Sequence, residues 1–519
     1  MALPRDVYQE LEDIVGPENI SQDPAILNAC TRTAFSDVYS GKIVMDPAEA
    51  MLLPGSTEEV QAIVKLCNRR GLKSKAFSTG FGPWAFAGSE GVILLDLRRM
   101  NRILEIDERN MCIVVEPYVS SGQAQAEAMK RGLTCIQISA GSQCSLLAMH
   151  TSMDGRSSQA MTLGHASRNL LGAEWVLPTG EVVKVGSVGS GAGWFSGDGP
   201  GPSLRGIFRG NLGAQGGLGI FTKCAVKLYP WPGPPVLETE GILPNYEVEV
   251  PPFFELRLVQ FSSWQALANA AYKISEAGIA YYMEKEGSSW RGLVTTTSNN
   301  EYWEKLQSGE LELPRICLGV LLAANSQREH EYQVKVLDKI LDETGAKPVP
   351  AAEKPAFRKR DYMETVRPSH RGREAFRMTG AALDIALSTQ DTIDDAVRIA
   401  QVYEDFVEKL LATHKFAAET DSCRLAFYEQ GLYAHWESNI HYDPTDPESI
   451  EASVKVVQAG IETVIKEQFC PLLISGPLTP ILGPMLGNLH TWIRKIKKAF
   501  DPHTVSDPSW YGAAEEETP

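Results

Sequence analysis

Residues 91–133, GVILLDLRRMNRILEIDERNMCIVVEPYVSSGQAQAEAMKRGL, decide how the first half of this 519-residue chain is read. Val92–Asp96 is a short apolar run with the length of a buried strand, and Ile103–Ile106 and Cys112–Glu116 read as a hairpin. Ser121–Arg131 then carries helix formers up to a glycine stop at Gly132. Strand, hairpin and helix in that order define an α+β unit and exclude a helical bundle.

Upstream, LLPGSTEEVQAIVKLCNRRGLKSKAFSTGFG (52–82) supplies the preceding layer. Ser56 and Glu59 make a capping-box pair, and Val60, Ile63, Val64 and Cys67 recur at helical spacing until Gly71. Lys73–Phe77 is a strand, and Ser78, Thr79, Gly80, Phe81, Gly82 and Pro83 form a loop of mostly small residues. A diphosphate needs several backbone N–H groups converging on it, with no side chains in the way, and such a loop can supply that nest. The plain alternative is a solvent loop.

Downstream, GAEWVLPTGEVVKVG (172–186) folds back on itself at Thr179–Gly180, and GAQGGLGIFTKCAVKLYPWP (213–232) gives another strand. Between them GSVGSGAGWFSGDGPGP (186–202) is poor in helix formers. Pro230, Pro232, Pro234 and Pro235 mark a boundary. Beyond it strands at Leu256–Phe261, Ile316–Leu322, Ala382–Leu387 and Cys423–Tyr428 alternate with helices at Ser263–Glu276, Glu329–Glu343 and Thr392–Leu411. That pattern predicts an antiparallel sheet covered by helices. The expected division is 1–44, a helical lead; 45–236, a cofactor-binding domain; 237–446, a cap; and 447–519, a helical tail returning to the first domain.

The composition excludes several classes. A formal charge of -16 argues against a nucleic-acid surface. No run reaches the ~18 apolar residues that span a bilayer. Nine scattered cysteines without a C-x-x-C pair favour reduced thiols and a cytoplasmic protein over a disulfide framework.

Taken together, these stretches and the closing IKKAFDP (496–502) resemble the vanillyl-alcohol oxidase superfamily, whose members carry a PCMH-type FAD-binding domain. The D-type flavin subunit of glycolate oxidase and 4-cresol dehydrogenase represent the branches most alike. The resemblance implies FAD held by the 78–83 loop and by a second set of residues: Gly141, Ser142, Ser145, Leu146, Gly155, Gly164, His165, Gly217, Gly219 and Ile220. It departs from the family in SLLAMHTSMDG (145–155), where the usual glycine pair and asparagine are replaced. It departs again at Ser506-Asp507-Pro508, where an Asn-Pro-Gly-Lys ending is usual. The 78–83 loop holds no His or Cys, so non-covalent FAD is expected.

Tyr433, His435, Glu437, Asn439 and His441 fall on one face if 433–443 is a strand. Such a polar stripe suits a cap floor above a flavin, with a histidine taking the hydroxyl proton of an alcohol while hydride goes to N5. The bland alternative is a solvated edge strand. His435, Glu437 and His441 are zinc-ligand types, but alternate positions on a flat strand do not converge, and no metal is expected. Arg367 and Arg371, in a basic run from Arg358 to Arg373, are candidates for holding a substrate carboxylate, against the default of a basic helix face.

The leading expectation is an FAD-dependent dehydrogenase or oxidase of a small alcohol, either a 2-hydroxy acid or a phenol. Three rivals stand beside it. The chain could be an electron-relay subunit with an iron–sulfur or electron-transfer flavoprotein partner, a flavin-dependent alkyl transferase, or a relic that binds no flavin. Self-association is left open.

Overall fold

The computed structural model describes residues 3–31, 45–80, 82–137, 141–153, 155–157, 159–186, 203–210, 213–242, 245–285, 287–288, 296–310, 312–366, 382–411, 423–442, 445–471 and 476–511. It has the α+β architecture expected from the sequence.

The first half holds two sheets. Ile20–Ser21, Ala50–Leu52, Val92–Asp96 and Lys73–Phe77 lie side by side in that order, the last three parallel. The helix Thr57–Arg70 covers them. Its first turn is satisfied by Ser56, whose Oγ accepts from Glu59 N at 3.2 Å, and it stops at Gly71 in the left-handed region. Val60, Ile63 and Val64 of this helix share one core with Val7, Leu11 and Val15 of the helix Arg5–Val15, so the N-terminal helix belongs to the same packing unit. The second sheet is antiparallel, in the order Ile103–Asp107, Cys112–Val115, Ile220–Lys227, Leu170–Val176 and Val182–Val185.

The second half is a seven-stranded sheet. Its central strands Cys317–Ala323, Ala280–Lys285, Cys423–Tyr428 and Tyr433–Tyr442 are antiparallel neighbours, and Ala382–Asp391 closes one edge. The helices Trp264–Ala277, Gln327–Glu343 and Ile393–Leu411 pack on one face, around the fully buried Trp436. The other face turns to the first half, where Ala426 and Tyr428 join an apolar cluster with Leu163 and Ala166. Period-two alternation thus separates the two faces of Tyr433–Tyr442: Ala434 and Trp436 point to the helices, and Tyr433, His435 and Glu437 to the first half.

The chain then returns. The helix Leu489–Phe500 lays Ile493, Ile496 and Phe500 on the first half's core. Val505 O accepts from Ser74 N at 2.6 Å, and Ser506 Oγ accepts from Gly219 N at 2.8 Å. Asp507 accepts from Gly88 N at 2.9 Å and from the Ser89 hydroxyl at 3.0 Å. Lys497 is buried beneath this strap and donates to Gly217 O, Asp501 and Ser506 O at 2.6–2.8 Å.

Candidate active site

A groove runs between the loop after Lys73–Phe77 and the short helix Leu146–Thr151. Ser78, Thr79, Gly80, Ser145 and Gly219 of the expected cofactor residues meet on its wall. The loop is tied down locally, since Thr79 Oγ1 accepts from Ser145 N at 3.0 Å and Ser145 Oγ donates to Pro117 O. Gly80 has φ +75°, and a Cβ there would stand 2.8 Å from the Phe77 ring. The Phe77 ring occupies the space a side chain would need, and no other residue fits the position without strain.

Other expected positions lie elsewhere. Gly82 sits behind the Trp84 ring, Pro83 opens the short turn Pro83–Ala85, and Phe81 falls outside the described residues. Ser142 O accepts from Gly122 N, and Gly141 adjoins it with the Gln143 side chain against its α-carbon. Leu146 and Ile220 are core residues, Ile220 paired with Val176. Gly155 is packed against Met149, and Gly217 lies under Tyr511 with its carbonyl on Lys497. Gly164 and His165 face Glu429 of the cap instead of the groove. For the glycines and the serine the reason is shared: such a residue in a string is equally a turn, a packing site or a wall, and only the fold separates the three.

The groove has neighbours that were not anticipated. Trp84, Ala85, Cys144, Ala148, Gln215 and Gly216 also line it. Lys75 lies fully buried under Gln215 and donates to its carbonyl at 2.9 Å. Burial pulls the Lys75 ammonium down to about 8, against the pull of Asp507. Gln215 lines a second cavity as well, of about 350 Å³, with Gln390, Cys470, Leu489, Ile493 and Trp510. Groove and chamber thus adjoin at one residue.

Gln390 leads from the chamber to the polar cap face. It stands directly opposite His435 in the strand pair, and its Oε1 accepts from Arg156 at 3.2 Å. His435 Nε2 is 3.0 Å from Glu437 Oε2, and the Tyr428 ring stacks on the imidazole at 6.1 Å. His165 enters from the first half, its ring 5.2 Å from Tyr428 and 4.7 Å from Tyr433. Arg424, opposite Glu437, forms a two-pronged pair with Glu284 at 2.6 and 3.1 Å. The stripe is therefore an interior face and not a solvated edge. The backbones of Asn439 and His441 pair with Ile385 and Leu383, while their side chains lie outside the described set. Arg367 and Arg371 also fall outside it.

Burial drives the His435 imidazole down to about 4, against the opposing pull of Glu437. Burial works against charge on Glu437 too, but His435, Arg424 and Arg156 outweigh it and hold the carboxyl to about 2. The pair is thus a neutral imidazole donating from Nε2 to a carboxylate. Nδ1 then carries the lone pair, and it has no hydrogen-bond partner among the described residues. Burial pushes the Tyr428 phenol up to about 12, so it stays protonated. Among the described residues no three His, Cys, Asp or Glu side chains are grouped to hold a metal ion.

Residues 48–186 match a family described as an FAD binding domain. Over 492 residues the chain is 25% identical to a D-lactate dehydrogenase of Anaerostipes hadrus, covering 89% of this chain and 88% of that protein. It is 26% identical over 231 residues to the glycolate oxidase subunit GlcD of Bacillus subtilis, covering 44% of this chain and 46% of that one. Its fold matches that of p-cresol methylhydroxylase with substrate bound, with a TM-score of 0.75 at 18% identity over 98% of this chain and 96% of the other.

The fold and the matched domain define an FAD-dependent oxidoreductase. Residues 48–186 carry the FAD-binding domain, and the chain as a whole has the fold of p-cresol methylhydroxylase. The groove suits such a cofactor, because its glycine backbone leaves room for a diphosphate and its wall is largely apolar.

Proposed function

We propose that this protein oxidises a small 2-hydroxy acid, with FAD held non-covalently in the groove and the substrate where the adjoining chamber meets the polar cap face at Gln390. When bound, FAD supplies the acceptor for the two electrons that leave the substrate carbon. The residues of the chain do the rest.

The observation that carries this reading is His435. Its Nε2–H is committed to Glu437 and its Nδ1 is without a partner among the described residues. A neutral imidazole with one nitrogen tied to a carboxylate and the other vacant is the arrangement of a general base. In this reading Nδ1 takes the hydroxyl proton, and Glu437 fixes the tautomer and stabilises the imidazolium that forms. Arg156 holds the substrate carboxylate. Its guanidinium donates from one nitrogen to Gln390 Oε1, and the fork has further planar donors for a bidentate contact. Arg424 is excluded from that role because Glu284 already takes its fork. The protonated Tyr428 hydroxyl serves as a donor toward the substrate oxygen.

The D-lactate dehydrogenase and the glycolate oxidase subunit support the acid over a phenol. We place the protein in the cytoplasm, where its nine cysteines, none of them in a disulfide, stay as thiols. An iron–sulfur or flavoprotein partner would take the electrons onward.

Anaerobic addition of D-lactate, glycolate or 2-hydroxyglutarate to the yellow protein tests the reading. Bleaching by at least one acid, and not by 4-cresol, is expected. Bleaching by the phenol alone would overturn the substrate assignment, and a flavin that no alcohol bleaches would favour the relay or transferase rivals.

A further inference from the structure

The protein is acidic throughout, with 65 Asp and Glu against 49 Lys and Arg, yet residues 470–500 contain no acid at all. At that average density about four would occur there. The same stretch holds Arg494, Lys495, Lys497 and Lys498. Lys497 is consumed by the buried contacts of the strap, while Lys495 and Lys498 stand exposed on the helix Leu489–Phe500.

This helix has two distinct sides. Ile493, Ile496 and Phe500 pack inward, and Ile493 and Ile496 line the chamber. Trp492, Lys495 and Lys498 point outward, with Trp492 57% exposed. Lys495 Nζ lies 4.4 Å from the centre of the Trp492 ring, which orients the indole along the surface. Leu489 is 39% exposed and also lines the chamber, so the chamber's rim and the exposed patch meet there. Ile481, 40% exposed on the preceding turn, extends the apolar area. Singly exposed apolar residues need no explanation, but an indole and two aliphatics within twelve positions, in a stretch that holds cations and no acid, do.

We propose that the face carrying Ile481, Leu489, Trp492, Lys495 and Lys498 seats the protein on an anionic phospholipid surface, with the rim of the substrate chamber against the headgroups. Charge complementarity selects this occupant. Lysines flanking a tryptophan and aliphatics on one side of a helix match the headgroup boundary, where the cations meet phosphate and the indole the acyl edge. The excess negative charge elsewhere repels the same surface and so fixes the orientation. Attachment is peripheral, since no helix among the described residues is long and apolar enough to cross a membrane. The proposal does not depend on which alcohol is oxidised.

Co-sedimentation of the flavin-loaded full chain with vesicles tests it. Binding is expected to phosphatidylglycerol mixed with phosphatidylcholine, at least about tenfold weaker to phosphatidylcholine alone, and reversed by high salt. Trp492→Ala and the double change Lys495→Glu, Lys498→Glu should each weaken binding about tenfold or more, with flavin absorbance and turnover of a soluble substrate unchanged. No binding to anionic vesicles, or equal binding by the variants, would overturn the proposal. So would a wild-type protein that sediments as a dimer without lipid and becomes monomeric on Trp492→Ala, because a second copy would then cover the face.

Discussion

The groove and the cap face solve recognition with different materials. Among the described residues the groove's wall carries no charged side chain and presents backbone and small residues at Ser78, Thr79, Gly80, Ser145, Gly216 and Gly219, beside apolar groups such as Trp84, Met149 and Phe221. The cap face is built from large titratable groups, with Arg156 and His165 from the first half meeting Tyr428, His435, Glu437 and Gln390 from three strands of the second. A wall of backbone is intolerant of added bulk and indifferent to charge. A constellation of side chains behaves in the opposite way, tolerating neighbours but not a lost proton or acceptor. Substitutions on the two sides should therefore separate cofactor retention from turnover.

The largest effect is expected from Gly80→Arg. The new side chain collides with Phe77 and cannot keep the backbone at φ +75°, so the loop that walls the groove is displaced and the purified protein should be colourless. Stoichiometric FAD in that variant would remove the groove from the account. His435→Ala should leave the protein yellow and lower kcat by about 10²–10⁴-fold, the usual worth of a general base. Loss of flavin together with activity would blur the division between the regions.

Glu437→Gln should cost less, about 100-fold in kcat, and it carries a pH signature. A free imidazole titrates near 6.5 and His435 at about 4, so the acid limb of kcat/KM in the wild type should fall near 4 and not 6.5. The same shift sets stability. As the pH drops from about 6.5 toward 4 the unfolded chain takes up a proton that folded His435 refuses, so stability falls with acidification over that window. A kinetic limb near 6.5 would show that His435 is not the base.

The smallest effect is expected from Arg156→Lys. It keeps the charge but loses the planar fork, and KM for the acid should rise about tenfold with kcat nearly held. An unchanged KM would shift the carboxylate contact to another residue.

Much of the groove could be read from the sequence because its physics is local. Helix Thr57–Arg70 with its Ser56 cap, strand Lys73–Phe77 and the loop at Ser78–Gly80 occupy one continuous stretch, and each has a signature of period, cap or glycine. Gln215 and Gly216 are not singled out inside GAQGGLG because four small neighbours carry the same signature, and only packing decides which reach the wall. The cap face was legible along one strand only. Alternation puts Tyr433, His435 and Glu437 on one face, but the partners Gln390, Arg424 and Tyr428 are set by strand register. Register depends on pairings across long separations, and no local pattern encodes it. His165 shows the same limit from the other side: in a glycine-rich run it resembled a cofactor contact, and it meets the cap instead.

The strap formed by Val505–Asp507 carries a consequence for how the molecule is made. Ser74, in the strand beneath the groove, has its N–H taken by Val505 and its hydroxyl bonded to the same carbonyl, a residue 431 positions later. Gly219, on the groove wall, waits for Ser506 in the same way. During synthesis the ribosome delivers the first half in full while these groups still lack their partners. The groove acquires its final rigidity only when residues 505–507 are in place, so a chain arrested before Val505 is expected to capture flavin poorly.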